Sequence, residues 1–304
     1  MPQVRGPRER VHVRGVEVSI LRPGTAIDAL LAGLIDYAGL YPPASLDMRS
    51  AVENYRRYRS GTHAYALGRF IVDAARVDGL RAVAGNIDDL KLSVIVSHPA
   101  QTHNVSKLID EGAPIEAVEA KAASPADVEQ ITRSLPLGVH AFIETPGEPQ
   151  SHLLRAISNC GACAKLRMGG VGSEAFPSIA AVARTLESLI RAGLAFKATA
   201  GLHHPIRSRH PFTYAQDSPL GMMHGFINLI GGATLLHFGA SAADAQRVLD
   251  EQNPKAWNMT PQSLEWRSYR WTTDQLSGIR QKFVSFGSCS FEEPIRDLEA
   301  LGWL

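Results

Sequence analysis

Between Arg69 and Ala200 the spacing of apolar positions switches back and forth. Six short runs read as strands: RFIVDAA (69–75), LKLSVIV (90–96), IEAVEAK (115–121), GVHAFIET (138–145), CAKLRMG (163–169) and LAFKATA (194–200). Between them, stretches such as Gln101–Glu111, Pro125–Ser134, Glu148–Ser158 and Phe176–Ala192 have the composition and length of helices. Strand, helix, strand at this spacing marks βαβ units around a parallel sheet. After Ala200 the rhythm loosens. Leu220–Phe238 and Ala242–Gln252 read as helices, and AWNM (256–259) or SLEWRSY (263–269) as a seventh strand. Thr272–Val284 reads as a helix, SFGSCSF (285–291) as an eighth strand with its loop, and Glu292–Leu301 as the closing helix.

Eight strands with interleaved helices predict an α/β protein of the (β/α)8, TIM-barrel type. No G-x-G-x-x-G follows the first strand, which argues against a doubly wound dinucleotide-binding sheet. Upstream, Thr25 or Asp28 can cap a helix that runs through Ala38, and a second helix spans Asp47–Tyr58. Residues 1–60 therefore read as an N-terminal arm with a helical extension, including a short strand at Val11–Ile20, and residues 61–304 as the barrel. DYAGLYPPA (36–44) reads as a stiff aromatic loop that plugs the barrel's bottom or lids a neighbouring subunit's site in a homo-oligomer.

Composition narrows the partners. The chain has 304 residues, 45% hydrophobic and 20% charged, with a net charge of +1. No strong field favours nucleic acid or an anionic membrane, so the expected partner is a small molecule. The longest apolar stretch, Gly221–Gly239, is interrupted by His224, Asn228 and several glycines. It reads as a buried helix rather than a span of about 18 apolar residues. The three cysteines make no disulfide framework and fit a reducing, cytoplasmic setting. Cys160 and Cys163 form a lone C-x-x-C without further ligands in range, and Cys289 would need a histidine base to act as a nucleophile.

Catalytic groups of such barrels sit at the C-terminal ends of the strands. By the count above, the third strand ends with Glu119 and Lys121 and the fourth with Glu144. The fifth ends with Lys165 and Arg167, and the sixth with Lys197 and Thr199, followed by His203 and His204. Alternation places Lys165 with Arg167, and Lys197 with Thr199, on one face. Buried charges are costly unless paired, so four neighbouring strands carrying them point to a polar pocket for a small anionic, oxygenated metabolite. Gly169 and Gly170 after the fifth strand, and Gly201 after the sixth, would let backbone N–H groups approach the anion. Arg167 would hold it, with Thr199, His204 and Ser288 at the rim. Desolvation and the cations Lys165 and Arg167 should lower the pKa of Lys197, leaving a neutral amine that forms an imine or takes a proton from carbon. Glu144, Glu119 and His203 would then move protons.

FKATAGL (196–202) resembles the K-x-[ST]-x-G stretch of class I aldolases of the deoxyribose-phosphate aldolase type. HAFIETPG (140–147) is similar to their fourth strand, and IEAVEAKA (115–122) falls at their acidic third strand. The resemblance implies a (β/α)8 lyase, needing no cofactor, whose Schiff-base lysine lies on strand six, where Lys197 is counted. That family has a second lysine on strand seven, where the candidate strand here carries Arg267 and Arg270.

Two other functions stay open. His203 and His204 could join Glu119, Glu144 or His237 around a divalent zinc, manganese or iron ion, giving a metal-dependent lyase, isomerase or hydrolase. The charged strands could also line a barrel that binds a metabolite without catalysis.

Overall fold

The structure is a computed structural model that describes residues 24–304. The strand expected at Val11–Ile20 lies outside the described residues. Eight parallel strands close into a barrel. In chain order they are β1 (Ile35–Tyr37), β2 (Leu67–Asp73), β3 (Leu92–Val96), β4 (Ile115–Lys121), β5 (His140–Glu144), β6 (Cys163–Arg167), β7 (Phe196–Thr199) and β8 (Phe283–Ser288). Each strand pairs in parallel with its neighbours, and β1 closes the ring on β8, with Ile35 opposite Phe286 and Tyr37 opposite Ser288. The (β/α)8 barrel anticipated from the sequence is therefore the fold.

The membership of the ring differs from the expectation in one strand. Ile35–Tyr37, placed in a helix and a plugging loop, is β1, so the barrel begins before residue 61. The preceding helix α1 (Ala26–Leu31) is short, closed by a Thr25–Asp28 capping box, and ends well before Ala38. The candidates for the seventh strand leave the ring. Trp257–Thr260, Ser263–Trp266 and Tyr269–Thr272 form a separate antiparallel sheet that packs on α1, with Ala26 N–H bonded to Pro261 O at 2.8 Å. Two-residue connections between these strands permit only antiparallel pairing, since a parallel neighbour needs a crossover.

With β1 restored and the expected seventh strand gone, the six strands from Leu67 to Thr199 each move up by one, and Phe283–Ser288 stays the eighth. Lys165 lies on the sixth strand and Lys197 on the seventh. The loop after β1 therefore stands at the C-terminal face, above the barrel's own interior, and is not a plug at the bottom.

Helices α2 (Met48–Arg59), α3 (Val77–Ala84), α4 (Thr102–Asp110), α5 (Pro125–Arg133), α6 (Ser151–Asn159) and α7 (Ile179–Arg191) follow β1 to β6 in order. β7 is followed by a hairpin of Ser208–Pro211 and Leu220–Met223, then α8 (Phe226–His237) and α9 (Ala242–Leu249). α10 (Thr273–Arg280) leads into β8, and α11 (Glu292–Ala300) ends the fold. α8 is buried along almost its whole length, which explains its lack of a polar face. Among the described residues no helix is long and apolar enough to cross a membrane.

The main core lies between strands and helices. Inside the ring, Ala117, Phe142, Cys163 and Val284 form a separate apolar floor, with Ala195 packed against it. Burial pushes the Cys163 thiol up to about 11, so this cysteine is an inert filler. Cys160 merely caps α6.

Candidate functional site

The charges sit one layer above that floor. Strand alternation places Glu119 two residues beyond Ala117, Glu144 beyond Phe142, Lys165 beyond Cys163 and Lys197 beyond Ala195, all on the inner face. Lys197 is fully buried. Its Nζ donates to Asp36 Oδ2 and Glu119 Oε1, both at 2.6 Å, and stands 5.3 Å from the Phe142 ring centroid. Lys165 Nζ lies 3.0 Å from Glu119 Oε2 and 3.1 Å from Glu144 Oε2. Arg167 Nε reaches Glu144 Oε1 at 3.2 Å, leaving half of its side chain exposed at the rim. Ser93 Oγ donates to Glu119 and Ser285 Oγ to Asp36, each at 2.7 Å.

The result is an alternating chain of charge: Asp36, Lys197, Glu119, Lys165, Glu144, Arg167. Burial disfavours the charge on Lys165, and the Glu119 and Glu144 carboxylates override it, so its pKa is raised. Burial likewise opposes ionisation of Glu144, and Lys165 and Arg167 override it to leave the pKa lowered. Glu119 is pulled well below the carboxylate range by Lys197 and Lys165, again against desolvation. The premise that cations would crowd Lys197 is overturned: its contacts are carboxylates, because Glu119 stands between the two lysines.

Glu119 Oε2 and Glu144 Oε2 are buried, and each has Lys165 Nζ as its partner. A ligand's hydroxyl or amine that displaced Lys165 would find both oxygens as acceptors. Tyr41 lies on the loop after β1 with its hydroxyl buried, and burial followed by the nearby Asp73 carboxylate raises its pKa.

A cavity of about 780 Å³ lies outside the ring, between β5 and β6 and the helices α6 and α7, where the outward-facing Ile143, Ala164 and Leu166 line it. Lys121, Glu144, Lys165 and Arg167 are among its lining residues, and Leu154 and Ile157 of α6 with Val182 and Leu189 of α7 supply an apolar wall. Lys197 does not line it.

The structure brings together Glu119, Glu144, Lys165, Arg167 and Lys197. Thr199 continues the Lys197 face one step higher, where its Oγ1 borders Gly287. Other expected site residues are used differently. Gly169 and Gly201 make room for the Phe176 ring. A Cβ on Gly201 would fall 2.7 Å from that ring and 2.8 Å from Gly169 Cα, while Gly170 packs against Ala175. Packing therefore accounts for these glycines without a bound anion. Ser288 alternates onto the outer face with Phe286, which stacks on Phe226 of α8, and its Oγ accepts from Ser290 N–H.

The two histidines diverge. His203 Nδ1 pairs with Glu293 Oε2 at 2.8 Å, and His204 Nδ1 with Asp297 Oδ2 at 2.7 Å, both acids on α11. His204 also stacks on His210, with centroids 3.3 Å apart. His237 is exposed at the C-terminal end of α8, away from the C-terminal ends of the strands. The proposed ligand set of His203, His204, Glu119 and Glu144 thus does not assemble, and among the described residues no three His, Cys, Asp or Glu side chains are arranged to hold a metal ion.

Asp36 was not anticipated from the sequence. Its signal is faint: one acid in the three-residue strand IDY, too short for a period to show.

No family model matches the chain, and no curated protein matches it.

Proposed function

We propose that the barrel is a lyase that makes or breaks a carbon–carbon bond, or eliminates water, in a small anionic carbonyl compound through an imine on Lys165. The observation that carries this reading is the Lys165 amine set between two buried carboxylate oxygens, Glu119 Oε2 at 3.0 Å and Glu144 Oε2 at 3.1 Å, near the C-terminal end of its strand. The nucleophile expected at Lys197 moves one strand. Lys197 is wholly buried between two carboxylates, whereas Lys165, also held by two, keeps a slight exposure and lies next to Glu144's half-exposed partner Arg167. Counted on the closed ring, strand six carries Lys165 and strand seven Lys197, the two strands on which deoxyribose-phosphate-type aldolases carry their Schiff-base lysine and their second lysine. The K-x-[ST]-x-G likeness itself falls on strand seven, one strand beyond its place in that family.

In this reading Lys165 passes a proton to Glu144 as a carbonyl displaces it from the ion pair, and the free amine adds to the carbonyl carbon. Loss of water, with Glu144 returning the proton to the departing oxygen, gives the iminium. Glu119 or Glu144 then takes the proton of a hydroxyl on the second carbon from the iminium carbon; that carbon becomes a carbonyl as its bond to the intervening carbon breaks, and the electrons of that bond form the enamine. Lys197 holds Glu119 in place and keeps it ionised. Arg167 and Lys121 at the rim neutralise the substrate's anionic group.

The test is borohydride reduction in the presence of small aldehydes and ketones, followed by peptide mapping. The reading predicts a reduced adduct on Lys165, lost in Lys165→Ala. A substrate that turns over but leaves no adduct on either lysine would sink it.

A further inference from the structure

We propose that Cys289, His203 and Glu293 form a second catalytic centre, a thiol nucleophile with its base and orienting acid, that accepts acyl groups from esters or thioesters. Cys289 follows β8 directly at the C-terminal face and is almost fully buried. His203 Nε2 lies 4.0 Å from its Sγ, a loose contact of the kind seen before substrate binds. The other ring nitrogen is held by Glu293 at 2.8 Å, which fixes the imidazole's orientation. Nucleophile, base and orienting carboxylate thus stand in the order that activates a thiol, brought from the loop after β7, the end of β8 and the first turn of α11.

Electrostatics favours the charged form of His203. Burial opposes the charge on His203, and its contacts with Cys289 and Glu293 override that, raising the imidazole to about 9. An imidazolium beside sulfur stabilises the thiolate, and the positive end of α11 begins three residues on. Glu293 is itself kept ionised: burial raises its pKa, but His203 and Tyr214 lower it further. Neither Cys160 nor Cys163 has a comparable histidine contact among the described residues.

A cover lies over the thiol. Tyr214, at the tip of the hairpin after β7, sends its hydroxyl to Glu293 Oε2 at 2.9 Å and to Cys289 Sγ at 3.5 Å. The tyrosine is otherwise more than half exposed.

The chemistry balances. Sulfur bonds to the acyl carbon while the bond from that carbon to the leaving oxygen or sulfur breaks, and the leaving group takes the proton of His203. Water then attacks the thioester, His203 takes its proton, the carboxylic acid departs, and the thiolate–imidazolium pair is restored.

p-Nitrophenyl acetate, offered to the full chain, tests this. Peptide mapping should find acetyl on Cys289 ahead of Cys160. His203→Asn should slow that acetylation by about 100-fold or more, and Tyr214→Phe should speed it by loosening the cover. Should His203→Asn fail to fold, the pH profile of the unaltered protein decides. A thiolate–imidazolium pair keeps its rate near pH 6, whereas an ordinary thiol loses about tenfold per unit below its pKa of about 8.5. Acetylation of Cys289 no faster than of Cys160, or a rate falling like that of an ordinary thiol, would overturn the proposal.

Discussion

Lys197 meets carboxylates that lie 161 and 78 residues away in the chain, Asp36 and Glu119. Removing Asp36 leaves a buried ammonium sharing its remaining acid, Glu119, with Lys165. Asp36→Asn should therefore lower unfolding free energy by about 3–5 kcal/mol, as when one partner of a buried pair is lost. Asp36→Asn combined with Lys197→Met should recover much of that loss, because both charges leave together. Urea titrations of the two single variants and the double variant measure the coupling, and simple additivity would show that none exists. His203 makes a second residue-scale prediction. Its folded pKa, about 9, exceeds the ordinary histidine value of 6.5, so its stabilisation is complete below pH 6.5 and fades as pH rises through 9. Stability followed across that window should fall in the native chain, and the fall should be smaller in His203→Asn. Glu119, Glu144, Lys165 and Lys197 were legible as candidates because a charge inside an apolar run stands out by itself. Asp36 and the Cys289–His203–Glu293 grouping were not, since each becomes unusual only through a distant partner.

At the scale of elements, alternation along strands was the dependable guide. It placed Lys165 with Arg167 and Lys197 with Thr199 before any coordinates, because a two-residue period is local. It did not reveal β1, whose three residues are too few to display a period. Residues 256–259 or 263–269 also read as a barrel strand, although the tight connections there make antiparallel partners. The glycine loops show the same limit. Gly201 sits at φ +68° with Phe176 and Gly169 pressed against it. Gly201→Ala should cost about 1–3 kcal/mol through overpacking and a disfavoured backbone angle. Thermal unfolding checks it, and an unchanged midpoint would mean that the loops after β6 and β7 shift apart freely.

For the molecule as a whole, closure depends on the seam between β1 and β8. Arg280, buried at the end of α10, donates to Phe283 O at the start of β8 and, at 2.8 Å, to Ala32 O just before β1. Burial lowers its pKa to about 10, yet it stays charged at neutral pH. Arg280→Met keeps the bulk and leaves the buried Phe283 carbonyl and the part-buried Ala32 carbonyl without that donor. Each unsatisfied group costs about 1–3 kcal/mol. The variant should unfold at markedly lower urea concentration than the native chain, and a midpoint within error of native would show that the ring closes without this clamp. The sequence by itself determined the class of fold and which strands carry inward charges, because alternation and helical spacing act between residues a few positions apart. Which strands are ring members, which acid meets which lysine, and where the two adjacent histidines point were decided only by tertiary structure. Those pairings join residues dozens to hundreds of positions apart, and they exist only once the barrel has closed.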